Sequence, residues 1–522
     1  MTGRSVRTFG DVVVSPHELA SAAGIEVFAA GGSAVDASLA TNAVLGVVAP
    51  ETCGIGGDLF ALVWEPTGNA PATLNSSGWA GSGAHADELR AAGHDSIPGD
   101  HPLTVTIPGC VAGWQALHDR YGRVPLGVVL NPAIRYAEDG FPASTELSEA
   151  LRRRRDQLVG QPSAVDLYPN GTPPEVGTRV RRPLLATTIS DITTGGAPAF
   201  YEGRPARDIS AAVGGRITQR DLETYRPDWV EPAHIDVFGA TGWTTPPNSQ
   251  GYLTLAALSI FEALGVPLDD PAATHLLVEA YRAVAWERNE LVADPVTAPM
   301  PWQELLAPSR LAARSAALHR ETVARWPAGR PAPPGTAFMC AVSSEGQAIS
   351  LIQSNFMGIG SGIGAGTSGF LLHNRGGGFD LRAGHPNELV PGRRPLHTLS
   401  PTLWTRDGEL LALLGTRGGH QQPQFLAQMA AGLFWRGLEP GDAQAAARWS
   451  MDEFGPGTPS RVLVEDHMDE AAVAHLIAAG HQVERMGFEG GWGPVSVITV
   501  SPEGLRTAAA DPRVDTSRAA VR

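Results

Sequence analysis

Lysine is absent from the sequence: all 39 residues counted as Lys or Arg are arginines. A Schiff-base lysine and the lysine of a phosphate-binding Walker motif are therefore excluded. Cysteine is scarce, and Cys53, Cys110 and Cys340 stand far apart, so we predict neither a disulfide framework nor a cysteine-rich metal site. Because no HExxH motif and no CxxC pair occurs either, we expect no metal and no cofactor.

Long apolar runs and positive charge are also lacking. No stretch of about 18 apolar residues predicts a membrane span, and residues 1–15 lack the apolar core of a signal peptide. The net charge of −15 disfavours binding to nucleic acid or to an anionic membrane. We therefore predict a cytoplasmic protein whose partner is a small molecule.

The residues that are abundant indicate a large folded protein. Hydrophobic residues make up 43% of the 522 positions and charged residues 18%, which is enough for a sizeable core and excludes a disordered chain. Glycine (61) and proline (42) are frequent without a collagen-like repeat, so we expect many tight turns. The length allows either several domains or one large fold.

Local patterns predict where several elements begin. Ser15, followed by a proline and then by Glu18, has the pattern of a helix N-terminus with a capping serine, and Ser33 with Asp36 repeats this pattern. Alanine-rich apolar stretches follow both and are predicted to be helices. A glycine-rich turn then precedes a predicted strand over 59–64.

Two stretches in the second half predict β-hairpins. Residues 336–353 are apolar on both faces around a turn at 343–346, and residues 399–416 contain a second strand pair around a turn at 406–408. The first hairpin follows the segment 326–335, which contains four prolines. Such a segment fits neither a helix interior nor a central strand, so it is predicted to be a loop.

Thr336 is the first candidate catalytic residue. It stands directly after the proline-rich loop, at the start of a predicted buried strand, which suits a nucleophile exposed by self-cleavage. Its hydroxyl would attack the carbonyl of Gly335, and the freed α-amine would have a pKa near about 7.7–8.0, close to that of a working general base. A threonine that simply begins a strand explains the same pattern, and Gly-Thr occurs six times in the chain.

Several blocks of the sequence, among them APETCGIGGDLFALVW and GTRGGHQQPQ, resemble the γ-glutamyltranspeptidase family of N-terminal nucleophile hydrolases. The blocks are collinear over nearly the whole chain and cover 29–64, 106–144, 335–362, 366–374, 393–404 and 415–424. The resemblance implies a four-layer αββα sandwich and a precursor that is cut before Thr336. The segments 1–335 and 336–522 would then be the large and small subunits of one fold, a heterodimer that could pair with a second copy.

The resemblance also implies roles for individual residues. Thr336 matches the nucleophile, and the bond between Gly335 and Thr336 matches the cleavage site. Ser354 matches a second hydroxyl that orients the nucleophile. Gly418 and Gly419 match the glycine pair whose N–H groups form the oxyanion hole, and the lack of side chains lets such groups approach an oxyanion closely.

The chain departs from the family where γ-glutamyl substrates are bound. The arginine that binds the glutamyl α-carboxylate is missing from the matching segment 75–80, and the aspartate that binds the α-amino group falls within Gly377–Gly378. Each charge-assisted hydrogen bond is worth about 1.5–3 kcal/mol. Losing both would remove about two to four decades of affinity for a γ-glutamyl group, unless Arg375 or Arg417 substitutes.

We therefore expect a non-glutamyl substrate and a place in the amidohydrolase and acylase-like branch of the family. The paired serines of the family align with His397 and Thr398, and Arg375 is expected to bind a substrate carboxylate, with a loop-fixing role as the alternative. Two aromatic residues stand where polar glutamyl-binding groups would be, although core packing explains them equally. The residues expected at the substrate end are Trp79, Asn355, Phe356, Arg375, His397 and Thr398.

The sequence thus predicts an autoprocessed hydrolase that breaks an amide or C–C bond through an acyl-enzyme. Its context would be secondary metabolism, such as antibiotic biosynthesis, or catabolism. Two alternatives remain. A true γ-glutamyltransferase or glutathione hydrolase would cleave a γ-glutamyl anilide, whereas an uncleaved, non-catalytic binding homologue would stay one chain and turn nothing over.

Overall fold

A computed structural model describes residues 3–326, 336–451, 461–488 and 493–522. The proline-rich loop from 327 onwards and Gly335 lie outside the described residues. Over the described ranges the chain forms nineteen strands: β1 (Val6–Thr8), β2 (Val12–Ser15), β3 (Asp58–Trp64), β4 (Ala72–Ser76), β5 (Phe141–Pro142), β6 (Arg179–Val180), β7 (Asp228–Val230), β8 (Ala233–Val237), β9 (Ala240–Thr244), β10 (Ala337–Val342), β11 (Ala348–Ser354), β12 (Thr402–Arg406), β13 (Glu409–Thr416), β14 (Trp449–Ser450), β15 (Arg461–Glu465), β16 (Gln482–Met486), β17 (Val495–Val500), β18 (Arg506–Ala509) and β19 (Arg518–Val521).

The same ranges contain eighteen α-helices: α1 (Glu18–Ala29), α2 (Ala34–Val48), α3 (Asp87–Ala91), α4 (Cys110–Tyr121), α5 (Leu126–Asp139), α6 (Thr145–Arg153), α7 (Arg155–Leu158), α8 (Pro183–Tyr201), α9 (Arg204–Ala212), α10 (Gln219–Thr224), α11 (Tyr252–Ala263), α12 (Ala273–Ala285), α13 (Arg288–Leu291), α14 (Trp302–Leu305), α15 (Pro308–Ser315), α16 (Gln422–Ala430), α17 (Pro440–Ala445) and α18 (Glu470–Ala479). Every helix along these ranges is too short or too polar to cross a lipid bilayer.

Two seven-stranded sheets form the centre of the molecule. The first has the order β1-β18-β17-β13-β12-β9-β8, and the second has the order β19-β2-β10-β11-β3-β4-β7. Neighbouring strands in both sheets are antiparallel. Each sheet therefore combines strands from both sides of the Gly335–Thr336 bond.

The sheets pack face to face, and helices cover their outer faces. Side chains alternate along a strand, so Phe338 and Cys340 of β10 point towards the first sheet, while Met339 and Ala341 point towards a helix layer. Helices α1, α2, α4, α5 and α8 cover the second sheet, and α11, α12 and α16 cover the first. The expected αββα sandwich is confirmed. The first hairpin is apolar on both faces because one face packs against a helix layer and the other against the first sheet.

The local predictions had mixed outcomes. Both hairpins are confirmed, and so is the capping box of Ser33 and Asp36. The helix start at Ser15 is wrong: α1 begins at Glu18, and the ring of His17 caps it by accepting a hydrogen bond from the N–H of Leu19 at 3.2 Å. Ser15 is not available as a cap because it ends β2 and donates its hydroxyl to the His17 carbonyl at 2.9 Å.

Candidate active site

Thr336 and Ser354 lie side by side at the end of a hairpin. Thr336 comes immediately before β10, and Ser354 is the last residue of β11. The register pairs Ala337 with Gln353, so the two hydroxyl residues fall opposite each other. Their oxygens are 3.1 Å apart and buried, and Ser354 Oγ also accepts the N–H of Phe356 at 2.7 Å. A second hydroxyl therefore lies within reach of the expected nucleophile.

This hydroxyl pair faces the space between the two sheets. Thr336 stands two residues before Phe338, so both side chains lie on the same face of the strand, and the Phe338 ring packs between the sheets. On the facing sheet β13 ends at Thr416, shortly before Gly418–Gly419. Gly415 of β13 lies so close to the Phe338 ring that a Cβ would overlap it. The start of β10 and the end of β13 thus approach each other across the sandwich, which brings the glycine pair towards Thr336.

Gly418 and Gly419 have backbone conformations that favour glycine. Their φ angles are 132° and 55°, in the region that a side chain makes costly. The side-chain amide of Gln250 donates to the carbonyl of Gly419 at 2.9 Å and to that of Thr398 at 3.2 Å. One side chain therefore joins the proposed oxyanion loop to the segment that carries the proposed substrate residue Thr398.

Phe356, one of the residues expected at the substrate end, has a strained backbone and lies against Arg375. Its φ is +76°, a conformation that costs a non-glycine residue about 1–3 kcal/mol and that occurs mainly where function requires it. This turn aims its N–H at Ser354 Oγ and lays its ring under Arg375, whose guanidinium carbon is 3.8 Å from the ring centroid. The contact is a cation–π stack.

Arg375 is buried, yet part of its guanidinium has no partner. Nη1 donates to Thr398 Oγ1 at 3.2 Å, while Nη2 makes no hydrogen bond within the described part of the chain. Burial lowers the pKa of Arg375 to about 9, and the charge of Asp58 opposes this effect. The group therefore still carries its charge at neutral pH. Arg417, the other candidate, is already ion-paired with Glu146.

His397 is a support rather than a free ligand. Its Nε2 donates to Asp58 Oδ2 at 3.1 Å, and its Nδ1 accepts the N–H of Leu399 at 3.3 Å. Burial and the charge of Arg375 lower the pKa of His397 to about 3, so the ring is neutral. Both ring nitrogens are thus occupied within the protein.

The side chains of Asn355 and Trp79 have partners other than the hydroxyl pair. Asn355 follows Ser354 but turns to the other face of the strand, where its amide donates to the Pro50 carbonyl at 3.4 Å. Trp79 packs against Tyr225 at 4.9 Å between ring centroids, and it is partly buried on the large helix-side core. The structure brings Phe356, Arg375 and Thr398 together, while the side chains of Asn355 and Trp79 contact other parts of the protein.

The positions that bind a γ-glutamyl group in the resembled family have different surroundings here. At Gly378 a Cβ would lie 2.6 Å from the Leu396 carbonyl oxygen, so no side chain fits without a backbone shift. At Gly377 the nearest atoms to a Cβ would be 3.5–3.6 Å away, which is ordinary contact. Ser77, in the segment that matches the arginine motif, donates its hydroxyl to Asn75 at 2.7 Å.

Asp58 is the functional candidate that sequence reasoning missed. It opens β3 directly after a glycine-rich turn, and its side chain is buried. The available signal was a carboxylate at the start of an otherwise apolar strand, because a buried charge requires partners. Those partners are the N–H groups of Gly78 and Gly109 and the ring of His397.

Only one group of side chains in the described ranges has the spacing of metal ligands: His275, Glu279 and His481. The two rings already share a hydrogen bond of 2.8 Å between their nitrogens. Glu279 is ion-paired with Arg282 and accepts the N–H of Ala324 at 2.7 Å. His275 also bonds the His319 carbonyl at 2.9 Å, so His275 and Glu279 are already engaged within the protein and we assign the group a structural role.

The αββα sandwich, with a threonine that opens a central strand and faces a second hydroxyl, defines the class of N-terminal nucleophile hydrolases. The model of the family described as gamma-glutamyltranspeptidase matches residues 20–521. The chain belongs to the γ-glutamyltranspeptidase family and is an enzyme of amide-bond hydrolysis.

Three relatives illustrate its position in the family. The chain is 33% identical to the glutathione hydrolase-like YwrD proenzyme of Bacillus subtilis, over 98% of both chains. It is 32% identical to the oxamate amidohydrolase proenzyme of Klebsiella pneumoniae, again over 98% of both. The crystal structure of a cephalosporin acylase from Bacillus halodurans matches with a TM-score of 0.90 at 31% identity, covering 99% of this chain and 96% of that one. These similarities support the expected place near the amidohydrolases and acylases.

Proposed function

We propose that the chain is a precursor that cuts itself between Gly335 and Thr336, and that the product is an amidohydrolase of small, non-glutamyl molecules bearing a carboxylate. The observation that carries the substrate class is the buried Arg375, which is stacked on Phe356 and has a donor, Nη2, without a hydrogen bond among the described residues. A buried guanidinium with an unused N–H is suited to bind a carboxylate through charge-assisted hydrogen bonds.

In this mechanism Thr336 acts twice. In the precursor its hydroxyl attacks the Gly335 carbonyl, and the peptide C–N bond breaks as the ester forms, which frees the Thr336 α-amine. Hydrolysis of this ester then releases the Gly335 carboxylate and restores the Thr336 hydroxyl. In the mature enzyme Thr336 Oγ1 attacks the substrate carbonyl while the α-amine takes its proton and passes it to the leaving amine. Water then attacks the acyl-enzyme ester, the α-amine takes a proton from the water and returns it to the leaving Thr336 Oγ1, and the acid product is released and ionises to a carboxylate.

Three other residues assist these steps. Ser354, 3.1 Å from Thr336, orients the nucleophile by a hydrogen bond. The N–H groups of Gly418 and Gly419 stabilise the oxyanion, a role that in enzymes contributes about 2.7–4 kcal/mol per donor.

The same nucleophile attacking a ketone would break a C–C bond if the departing carbon can accept the electron pair and a proton. Both amide and C–C hydrolysis are suited to catabolism and to secondary metabolism, including antibiotic biosynthesis.

The closed space at Gly378 supports the exclusion of γ-glutamyl substrates. A carboxylate there, to bind an α-amino group, would collide with the Leu396 carbonyl. The segment at Ser77 offers hydroxyl and amide groups but no cation of its own, and the guanidinium that reaches it, that of Arg394, already donates to the Ser77 carbonyl at 2.9 Å and is ion-paired with Asp228. A true glutathione hydrolase therefore lacks support at both ends of the glutamyl group.

Intact mass and a paired substrate panel test the proposal. The purified wild type should give two fragments, 1–335 and 336–522, and Thr336→Ala should remain whole. Monoamides of small dicarboxylic acids, such as oxamate, should be hydrolysed at least about tenfold better than the matching neutral diamides, such as oxamide. Equal turnover of both, turnover by an uncleaved chain, or γ-glutamyl anilide turnover at about 1–10³ per second would contradict it.

A further inference from the structure

One buried carboxylate connects four segments around the substrate end. Asp58 Oδ1 accepts the N–H groups of Gly78 at 3.0 Å and Gly109 at 3.2 Å, and Oδ2 accepts His397 Nε2 at 3.1 Å. His373 Nδ1 lies 3.7 Å from Oδ2. Backbone and imidazole groups thus surround a side chain with no exposed surface.

Two of these segments end at the proposed substrate arginine. His397 precedes Thr398, whose Oγ1 accepts Arg375 Nη1 at 3.2 Å. His373 stands two residues before Arg375 and donates its Nε2 to the Thr106 carbonyl at 2.8 Å. Asp58 is therefore hydrogen-bonded to the segment that carries Thr398 and lies beside His373 without a hydrogen bond to it, and it makes no ion pair with Arg375 within the described ranges.

The charges of Asp58 and Arg375 act on each other although the two groups make no ion pair. Burial would raise the pKa of Asp58, but the hydrogen bond from His397 and the charge of Arg375 favour the ionised form, so the pKa lies below its usual value and the carboxylate is ionised. Burial lowers the pKa of Arg375, and only the Asp58 charge is identified as opposing it.

The other titratable groups facing Arg375 are imidazoles. They are His373 in its own segment, His397 in the segment before β12, and His420 in the turn after Gly419. Burial, together with the Arg375 charge, lowers the pKa of each. They are neutral at physiological pH, so Asp58 is the negative charge that balances Arg375 among the described residues.

We propose that Asp58 is a positioning residue for substrate binding: it fixes the His397–Thr398 segment that holds Arg375 and supplies the negative charge that balances the guanidinium. The proposal rests on the proposed role of Arg375 in binding a substrate carboxylate. Asp58 touches neither the substrate nor Thr336, so its effect belongs in KM for anionic substrates and in the pH dependence of that KM.

The test compares Asp58→Asn with Asp36→Asn. Asp36 is a matched control because it is equally buried and accepts backbone N–H groups, of Ser33 at 2.9 Å and Arg123 at 2.7 Å, in the capping box of α2. KM and kcat are measured from pH 6 to about 9.5 with a monoamide and its neutral diamide. Self-cleavage is checked by intact mass.

Loss of the Asp58 charge lowers the pKa of Arg375. Wild-type KM for the anionic amide should stay flat and rise only as pH approaches about 9. In Asp58→Asn the rise should begin about one pH unit lower, giving about a threefold higher KM than wild type near pH 8.5 and about an eightfold higher KM at pH 9.5. The KM for the neutral diamide and the extent of self-cleavage should match Asp36→Asn.

His397→Phe tests the positioning role separately and remains informative if Asp58→Asn does not fold. The His397 ring packs edge-on against Phe60 at 4.7 Å, so phenylalanine keeps the shape but removes the donor to Asp58 and the acceptor of the Leu399 N–H. KM for the anionic amide should rise several-fold without a shift of its pH dependence, because the carboxylate is retained.

The outcomes separate the two claims. If the wild type shows no preference for the anionic amide, the proposed function is wrong. If that preference exists but Asp58→Asn leaves the pH dependence of KM unchanged, or raises KM for both amides equally, the positioning role is wrong. An unchanged anionic KM in His397→Phe would likewise overturn the positioning half.

Discussion

Arg375 carries most of the substrate specificity proposed for this site. Its guanidinium carbon lies 3.8 Å from the centroid of the Phe356 ring, and one of its N–H groups donates to Thr398 Oγ1. Lysine would retain the positive charge but would lose both the stacked plane and the fork of donors. The residue therefore offers a substitution that separates charge from geometry.

We expect Arg375→Lys to raise KM for an anionic amide by about ten- to a hundredfold, which corresponds to about 1.5–3 kcal/mol. Self-cleavage and the melting temperature should stay close to those of the wild type. Steady-state kinetics on the mature protein measure the first effect, and intact mass with calorimetry measures the second. A variant that fails to mature, or melts early while binding normally in the surviving fraction, would show that Arg375 only fixes the loop.

Neighbouring glycines offer a matched pair for stability. At Gly378 an added Cβ lies 2.6 Å from the Leu396 carbonyl oxygen, whereas at Gly377 it meets only ordinary contacts. Gly378→Asp should therefore lower the free energy of unfolding by at least about 1–3 kcal/mol, and Gly377→Asp should cost clearly less. Denaturant unfolding in a Thr336→Ala background measures both, and equal losses would contradict the steric explanation.

Residues could be predicted from the sequence only where their partners are near in sequence or where family resemblance supplied them. The capping box of Ser33 and Asp36 needs a separation of three residues and was found. Asp58 was missed because its partners Gly78, Gly109 and His397 lie 20, 51 and 339 residues away. No periodicity along the chain encodes such a meeting, which exists only once the sheets have formed.

At the scale of elements, the turn after β13 is held in place by α11 and its preceding segment. Gln250, just before α11, donates to the carbonyls of Gly419 and Thr398 and accepts Arg288 Nη1 at 2.8 Å. Replacing it with glutamate keeps the acceptor for Arg288 but sets carboxylate oxygens against two carbonyls. The oxyanion loop and the substrate segment would then lose their common donor.

Gln250→Glu should accordingly lower kcat about tenfold or more while changing KM less, since a misplaced oxyanion donor acts mainly in the transition state. Kinetics on the mature enzyme measure this split. Gln422→Glu is a nearby comparison, because its Oε1 accepts the Ser400 N–H at 3.0 Å and that acceptor survives the change. A KM effect without a kcat effect in Gln250→Glu would contradict the assignment.

Element prediction failed where one residue had two suitable uses. Ser15 has the sequence context of a helix cap, but pairing of β2 with β10 and β19 takes it into a strand, and His17 becomes the cap. The hairpins of 336–353 and 399–416 were predictable because their turns and apolar strands are local. Strand order was not, since β2 lies between two strands from the other end of the chain.

At the scale of the whole molecule, the fold could be predicted only from the family resemblance, because length and composition alone allowed several domains. The structure adds that both sheets interleave the proposed subunits. In the second sheet β2 pairs with β19 and β10, and in the first β9 pairs with β12. Separating the fragments would break both sheets.

This interleaving predicts different refolding before and after cleavage. The Thr336→Ala precursor should regain its structure in a unimolecular reaction, whereas the mature protein must bring two chains together and expose strand edges meanwhile. Circular dichroism and light scattering after dilution from denaturant measure this. Refolding of the mature protein at a yield independent of concentration would contradict the prediction.

The position of β2 between β10 and β19 also has a consequence for a population of molecules. A fragment cannot leave without unfolding its companion, so mature enzymes are not expected to trade fragments. Each small fragment would keep for its lifetime the large fragment with which it was translated. A mixture of isotopically heavy and light enzyme should therefore contain no heavy–light hybrids after days of incubation, as measured by native mass spectrometry.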